Sequence, residues 1–341
     1  MPTPDEIMMF RALRLARRAW GMTSPNPMVG AVLCKDGRII GEGYHHRAGM
    51  PHAEIEALRS CQEPPAGATC HVTLEPCSTH GRTPPCVDAL IAAKVAEVVV
   101  GCLDPNPAHA GRGVELLRSA GIAVRTGVLR EKCAELNEAF FHWITTRTPF
   151  VLLKMAITLD GKIATRSGSS KWITGPAARA RVQRLRRWAD AILVGGETAR
   201  LDKPSLTVRG VANWPQPRRL VATRSLTAAD LAGLLPVGVP PEPLGARGAD
   251  EWRLELARLG AENVTALLVE GGGELASSLL RANLVDKVEF HIAPKLLGGR
   301  GSRPALGGAD PASLDEALGL ERVKTCRAGD DLIVSGYPRR R

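Results

Sequence analysis

Aromatic side chains are scarce in this chain: two Tyr, five Phe and six Trp make up 4% of its 341 residues. Surfaces that stack nucleic-acid bases are normally built on such rings, so the composition argues against one despite a formal charge of +10. Also missing is any apolar run near the roughly 18 residues that a membrane-spanning helix needs. Lys94 and Glu97 interrupt the best candidate. The opening MPTPDEIMMFRALRLARRAW mixes acids and bases and has neither a continuous apolar core nor a small-residue cleavage site. It reads as the start of a cytoplasmic protein. Eight cysteines are present but unevenly spaced, a pattern that fits free thiols and metal ligands better than a disulfide framework. There is no internal repeat, heptad or low-complexity tract.

What is present in quantity is arginine, concentrated in RARVQRLRRW and at the end of the sequence, Pro338 to Arg341. Solvated helix faces account for most basic runs. The functional counterpart is attraction for phosphate-bearing ligands, and with so few aromatics a small phosphorylated substrate fits better than nucleic acid.

The length favours two domains of ordinary size. Apolar positions at helical spacing over 6–20 precede MVGAVLCKDGRIIGEGYH, which reads as two strands joined by a turn at Asp36 and Gly37. PHAEIEALRSC then reads as a helix with Ala53, Ala57, Leu58 and Cys61 on one stripe. TCHVTL (69–74) reads as a strand, PPCVDALIAA as a helix and AEVVVGCL as a further strand. The alternation implies an α/β sandwich. The pattern restarts near Arg147, which sets the expected domains at 1–147 and 148–341. In the second, helices are expected at 176–188, 251–259 and 274–282, among strands AILVGG, RRLVAT, TALLVEG and VEFHIA. Residues 225–249, rich in Gly and Pro, are expected to be loops.

The chemistry concentrates in EPCSTHGRTPPC, residues 75 to 86, and in His52 and Glu54 of PHAE. One imidazole (His52) and two thiolates (Cys77, Cys86) make three ligands, leaving a tetrahedral zinc one position for water. Cys86 follows two prolines at a helix start, where the partial positive charge favours a thiolate. Glu54, two residues past a ligand, is placed to take a proton from water and give it to a departing amine, which is hydrolytic deamination. H-x-E followed by P-C-x-x-C is the signature of zinc deaminases. HAE and PC match it, but the second cysteine comes nine residues on instead of three. Two alternatives stand beside this one: a closed structural site completed by His80, since Cys-x-x-His is also zinc-finger spacing, and a cysteine-lined core without metal. Neither calls for Glu54.

In the second half, Lys154 interrupts FVLLKMAI; it is either a solvent-facing lysine on an edge strand or a site lysine near an anion. LLVEGGGELASSLL reads as a strand, three glycines and a helix, consistent with a tight turn or with a helix N-terminus that receives a diphosphate.

Taken together, PNPMVG, GEGYHHRAGMPHAEIEAL, VTLEPCSTHGRTPPC and DPNP resemble the deaminase half of the bifunctional riboflavin-biosynthesis family, diaminohydroxyphosphoribosylaminopyrimidine deaminase / 5-amino-6-(5-phosphoribosylamino)uracil reductase. LKMAITLDGKIA, KWITG, DKPSLTVR, LLVEGGGELASSLL and IAPKLLGG resemble its reductase half. The resemblance implies a cytidine-deaminase-like three-layer domain followed by a dihydrofolate-reductase-like α/β domain, with Zn2+ and NADPH as cofactors and like chains assembled into an oligomer. It implies zinc on His52, Cys77 and Cys86, proton transfer by Glu54, Asn26 and His45 beside the pyrimidine, and His80 and Arg82 at the mouth near the substrate phosphate. In the reductase half it implies NADPH at Ala156, Trp172, Thr198, Asp202 and the run Gly272, Gly273, Glu274, Leu275, Ala276, Ser277, Ser278. Substrate is implied at Lys154, Ser170, Arg186, Leu206, Arg209 and Glu270, the two arginines suiting a phosphorylated sugar. Three departures from the family pattern stand out. Lys203 replaces a second Asp, Thr223-Arg224 replaces an Asp followed by a small hydroxyl residue, and the segment 210–265 is short. The expectation for Arg224 is contact with the 2'-phosphate of NADP.

Overall fold

The computed structural model describes residues 1–79, 84–107 and 109–340. Met1–Arg147 and Thr148–Arg341 form two compact units. In the first, α1 (Pro4–Ala16) leads to β1 (Gly30–Lys35), β2 (Arg38–Tyr44), α2 (Ala53–Arg59), β3 (Thr69–Leu74) and α3 (Cys86–Ala92). β4 (Glu97–Cys102), α4 (Arg112–Ser119), β5 (Ala123–Thr126), α5 (Arg130–Leu136) and α6 (Glu138–Thr146) complete it. α1 starts where Thr3 and Glu6 cap each other reciprocally and Pro4 occupies the first turn. The sheet order is β2-β1-β3-β4-β5, antiparallel through β3 and parallel from β3 to β5.

Strand alternation sorts the apolar residues of this sheet onto two faces. Ala31, Leu33, Val72, Val98 and Val100 pack with Ala53 and Ala57 of α2 and Val87 and Leu90 of α3. Val32 and Val99 pack with Met9, Leu13 and Ala16 of α1 and with Cys133 and Leu136 of α5. The result is three layers. Gly43 decides how closely α2 approaches: a Cβ there would lie 2.3 Å from the Ala57 amide nitrogen and 2.5 Å from the Ala53 carbonyl oxygen. Only glycine lets α2 rest directly on β2, and that seat fixes the helix that begins at His52.

The second unit opens with β6 (Phe150–Thr158), β7 (Lys162–Ala164), α7 (Pro176–Trp188), β8 (Ala191–Gly195) and α8 (Gly196–Asp202). β9 (Arg218–Ala222), α9 (Ala228–Leu234), β10 (Pro241–Leu244), α10 (Gly248–Ala261), β11 (Ala266–Glu270) and α11 (Gly273–Arg281) follow. β12 (Lys287–Ala293), β13 (Arg303–Pro304), β14 (Leu320–Ala328) and β15 (Asp331–Pro338) end it. Eight strands form one sheet in the order β10-β9-β8-β11-β6-β12-β15-β14, parallel up to β12 and antiparallel beyond. β13 and β7 pair as a small ribbon. The chain leaves β6, builds β8, β9 and β10 outwards, and returns to insert β11 beside β6. Crevices of parallel α/β sheets open at such reversals, at the carboxyl ends of the strands.

The segment 225–249 is not the loop its composition suggests. Thr227 and Asp230 form a capping box that starts α9, and β10, despite two prolines, pairs in parallel with β9 as the last strand of the sheet. An edge position tolerates proline because one side of the strand needs no partner.

Candidate active sites

In the first unit, His52 is the N-cap of α2, Cys86 the first residue of α3, and Cys77 lies in the connection after β3. Three separate element ends therefore converge. His52 Nδ1 is 3.3 Å from Cys86 Sγ and 3.5 Å from Cys77 Sγ, and the three donor atoms lie within 4.8 Å of one another. A tetrahedral zinc with bonds of about 2.0 to 2.3 Å holds its donors roughly 3.5 Å apart. The imidazole and two sulfurs fit that ion in both chemistry and spacing. Among the described residues this is the cluster whose donors could hold a metal.

The helix-start amide of Cys86 does not serve its own sulfur, as its position suggested, but donates to Cys77 Sγ at 3.2 Å. The Cys86 thiol and His52 also donate to that sulfur, and together they draw the Cys77 thiol down to about 4 against the cost of burial. Cys86 is held up in turn by the neighbouring Cys77 and by burial. Glu54 is 3% exposed. Burial first, and then the charge of Cys77, pushes its carboxyl up to about 7.

Glu54 opens on a cavity of about 270 Å³ shared with His52, Cys77, Asn26, His45, Asp104 and Asn106. His45 is buried, and burial lowers its pKa, so the ring is neutral near pH 7. Its Nδ1 lies 3.1 Å from the Pro51 carbonyl oxygen and its Nε2 3.1 Å from Asn26 Nδ2. The only tautomer consistent with both donates from Nδ1 to Pro51 and accepts at Nε2 from Asn26. His80 and Arg82 lie outside the described residues, and so does the closed site that needed His80 as a fourth ligand.

In the second unit a larger cavity, about 800 Å³, is lined by Lys154, Ala156, Ser170, Trp172, Arg186, Thr198, Asp202, Leu206, Arg209, Arg224, Glu270, Gly272, Gly273, Glu274, Leu275 and Ser278. Ala276 and Ser277 are not on its wall; both face the interior, Ala276 within the main core. Gly271 and Gly272 have φ of 88° and 86°, and Gly272 is the N-cap of α11 with no side-chain cap. Ser170 Oγ donates to Asp202 at 2.7 Å.

A row of charges crosses the sheet here. Glu270, Lys154 and Glu289 are register partners on β11, β6 and β12, and α7 supplies an arginine to each glutamate. Arg186 grips Glu270 at 2.7 and 2.9 Å and donates to the Thr207 carbonyl at 3.0 Å. Arg181 grips Glu289 at 2.7 and 2.8 Å, and His291 lies 2.8 Å from the same carboxylate. The Arg186 fork expected to meet a sugar phosphate is thus already committed to a carboxylate. Burial raises the Glu270 carboxyl, but Arg186 and Lys154 outweigh it and hold it below the ordinary range. Burial likewise lowers Lys154, partly offset by Glu270.

Glu289, His291 and Arg181 were missed in the sequence. Their signal is two polar residues at i and i+2 in VEFHIA, which also describes a solvent-facing strand side. Asp104, Asn106 and Glu75 sit inside quoted motifs, DPNP and LEPC, without an assigned role.

These features define a two-unit α/β protein with a zinc-deaminase-type centre in the first unit and a large cavity lined by charged and polar groups in the second. Residues 2–102 match the cytidine and deoxycytidylate deaminase zinc-binding region, and residues 149–334 match the RibD C-terminal domain. The riboflavin biosynthesis protein RibD of Actinobacillus pleuropneumoniae is 42% identical over 96% of this chain and 93% of its own, and that of Escherichia coli K12 44% identical over 86% and 89%. The solved structure of Acinetobacter baumannii RibD superposes with a TM-score of 0.88 at 36% identity, covering 99% of both chains. A Thermotoga maritima diaminohydroxyphosphoribosylaminopyrimidine deaminase / 5-amino-6-(5-phosphoribosylamino)uracil reductase superposes at 0.86 and 36%, covering 98% of this chain and 99% of its own. The chain belongs to the RibD family and is a bifunctional riboflavin-biosynthesis enzyme.

Proposed function

We propose that the first unit hydrolyses the amine from 2,5-diamino-6-(5-phosphoribosylamino)pyrimidin-4(3H)-one, and that the second reduces the ribosyl chain of the product to ribityl with NADPH. The observation that carries the first step is Glu54, a buried carboxylate that lines one cavity with His52 and Cys77 beside the converged donors of His52, Cys77 and Cys86. Those three residues hold zinc, which when bound activates water as a nucleophile near pH 7. Glu54 takes the proton from water at its carboxylate and passes it to the departing amine nitrogen, as general base and then general acid. Asn26, oriented by the neutral His45, presents its side-chain oxygen to ring or amine N–H groups, and His80 and Arg82 meet the phosphate.

For the second step, NADPH supplies a hydride to C1' of the opened ribosyl chain. Ala156, Trp172, Thr198, Asp202 and Gly272 to Ser278 form its site, in which the uncapped start of α11 receives the pyrophosphate. Ala276 and Ser277 contribute by seating that helix on the core. Lys154 holds a transferable proton at Nζ beside Glu270, which Arg186 fixes; Ser170, Leu206 and Arg209 complete the substrate wall. Arg224, exposed on the cavity rim after β9, reads the 2'-phosphate. A cytoplasmic location and assembly of like chains belong to the same reading; no helix among the described residues is long and apolar enough to cross a membrane.

The test is incubation with the diaminopyrimidine ribotide, with and without NADPH, following ammonia and NADPH absorbance. Ammonia release independent of NADPH, followed by oxidation once NADPH is added, is expected. NADPH oxidation without ammonia, or neither signal from zinc-loaded protein, contradicts the reading.

A further inference from the structure

Glu75 follows β3 two residues before Cys77, and its side chain is buried, with the residue 4% exposed. Among the described residues its donors are all backbone amides. Oε2 accepts from Asp104 at 3.1 Å and Gly111 at 3.0 Å; Oε1 accepts from Gly113 at 2.9 Å and Val114 at 3.4 Å. Four N–H groups compensate a carboxylate that would otherwise be costly to desolvate. Gly111 is the N-cap of α4 and has no side chain to offer, so Glu75 caps that helix from another part of the chain.

Capping explains only half of the pattern. Gly113 and Val114 belong to the first turn of α4, but Asp104 and Gly111 stand at the two ends of the connection between β4 and α4. That connection presents Asp104 and Asn106 to the cavity containing Glu54, and Asp104 Oδ1 in turn accepts the Asn106 amide at 2.9 Å. One carboxylate therefore joins the end of the strand that leads to Cys77, the start of α4 and the cavity wall through a single set of hydrogen bonds. We propose that Glu75 is a positioning residue for deamination: by gathering the amides of Asp104, Gly111, Gly113 and Val114 it fixes Asp104 and Asn106 at the spacing that orients the substrate. The proposal rests on the deamination reading above.

The test compares E75Q, E75D, Asn106→Ala and the double variant E75Q/N106A in the full chain. Glutamine turns an NH2 group towards amide donors and weakens the clamp. In E75Q, KM for the diaminopyrimidine ribotide rises by about tenfold or more, while kcat at saturation changes by less than about threefold. Zinc content and NADPH oxidation with the deaminated compound stay at the unsubstituted level. The backbone amides of Asp104, Asn106 and 109–114 exchange with deuterium at least about tenfold faster. E75D, which keeps the charge but cannot reach all four amides, falls between. In the N106A background E75Q raises KM by a smaller factor than in the unsubstituted chain, because part of its effect acts through Asn106. A merely structural glutamate would give additive losses.

Faster exchange with KM unchanged in E75Q, or additive effects in the double variant, overturns the proposal. So does loss of zinc or of the folded first unit in both E75Q and E75D, which assigns Glu75 to the fold alone. If the unsubstituted chain releases no ammonia, the deamination reading falls and takes the proposal with it; ammonia release with an unaltered KM in E75Q overturns the proposal alone.

Discussion

Glu54 in the first unit and Glu289 in the second are buried to nearly the same degree, 3% and 4% exposed, yet their carboxyls move in opposite directions. Burial and the nearby Cys77 push Glu54 up to about 7. Burial would raise Glu289 too, but Arg181 and His291 bind it and bring it down to about 2. Depth alone does not decide the charge of a buried acid; the sign of its neighbours does. One glutamate is left able to exchange a proton, and the other is a fixed charge in a row that orders the sheet beneath the reductase cavity.

The largest expected effect attacks the mobile proton. Cys77→Ser removes one of the three proposed zinc ligands, and zinc content by metal analysis and ammonia release should both be lost, with reduction of the deaminated compound intact. Next comes the fixed charge. E289Q leaves the Arg181 guanidinium without its counter-ion, and because Arg181 is partly open to solvent, which screens it, the loss is on the order of 1–3 kcal/mol, below that of a fully buried pair. Denaturant melting should show that loss in the transition of the second unit while ammonia release persists.

The pH dependence sharpens the same contrast. The folded pKa of Glu289, about 2, lies below the ordinary 4.5. Its contribution is therefore complete above about pH 5 and is lost as the pH falls towards 2. A shift of this size corresponds to about 3 kcal/mol. E289Q should flatten the acid limb of stability measured by melting between pH 5 and 2, and an unchanged limb would show that Glu289 is not the fixed charge described. The smallest effect is on cofactor choice: R224A should lower the preference for NADPH over NADH by about tenfold in kcat/KM, the order of one charge-assisted contact at an exposed site.

The two units were not equally legible in the sequence. A metal centre demands particular side chains, so His52, Glu54, Cys77 and Cys86 could be picked out by chemistry, and the structure brings them to one point from three element ends. The reductase cavity is shaped by strand register instead. Nothing in the spacing of Lys154, Glu270 and Glu289 announces that β6, β11 and β12 align them, and Arg186 looked available for phosphate because its partner lies 84 residues away in the chain. The strong helices and strands were readable from periodicity, as 176–188 illustrates. α9 and β10 were not, because four Gly and four Pro are scattered through 225–249; a capping box starts α9 all the same, and pairing with β9 at the sheet edge holds β10.

In the function proposed above, Glu54 carries the proton of hydrolysis beside a metal held by its neighbours. E54Q tests it most directly, with bound zinc and the initial rate of ammonia release measured on the same sample. Zinc should stay at the unsubstituted level while the rate falls by about 10²- to 10⁴-fold; a zinc-loaded E54Q that releases ammonia at the original rate would rule Glu54 out as the proton carrier.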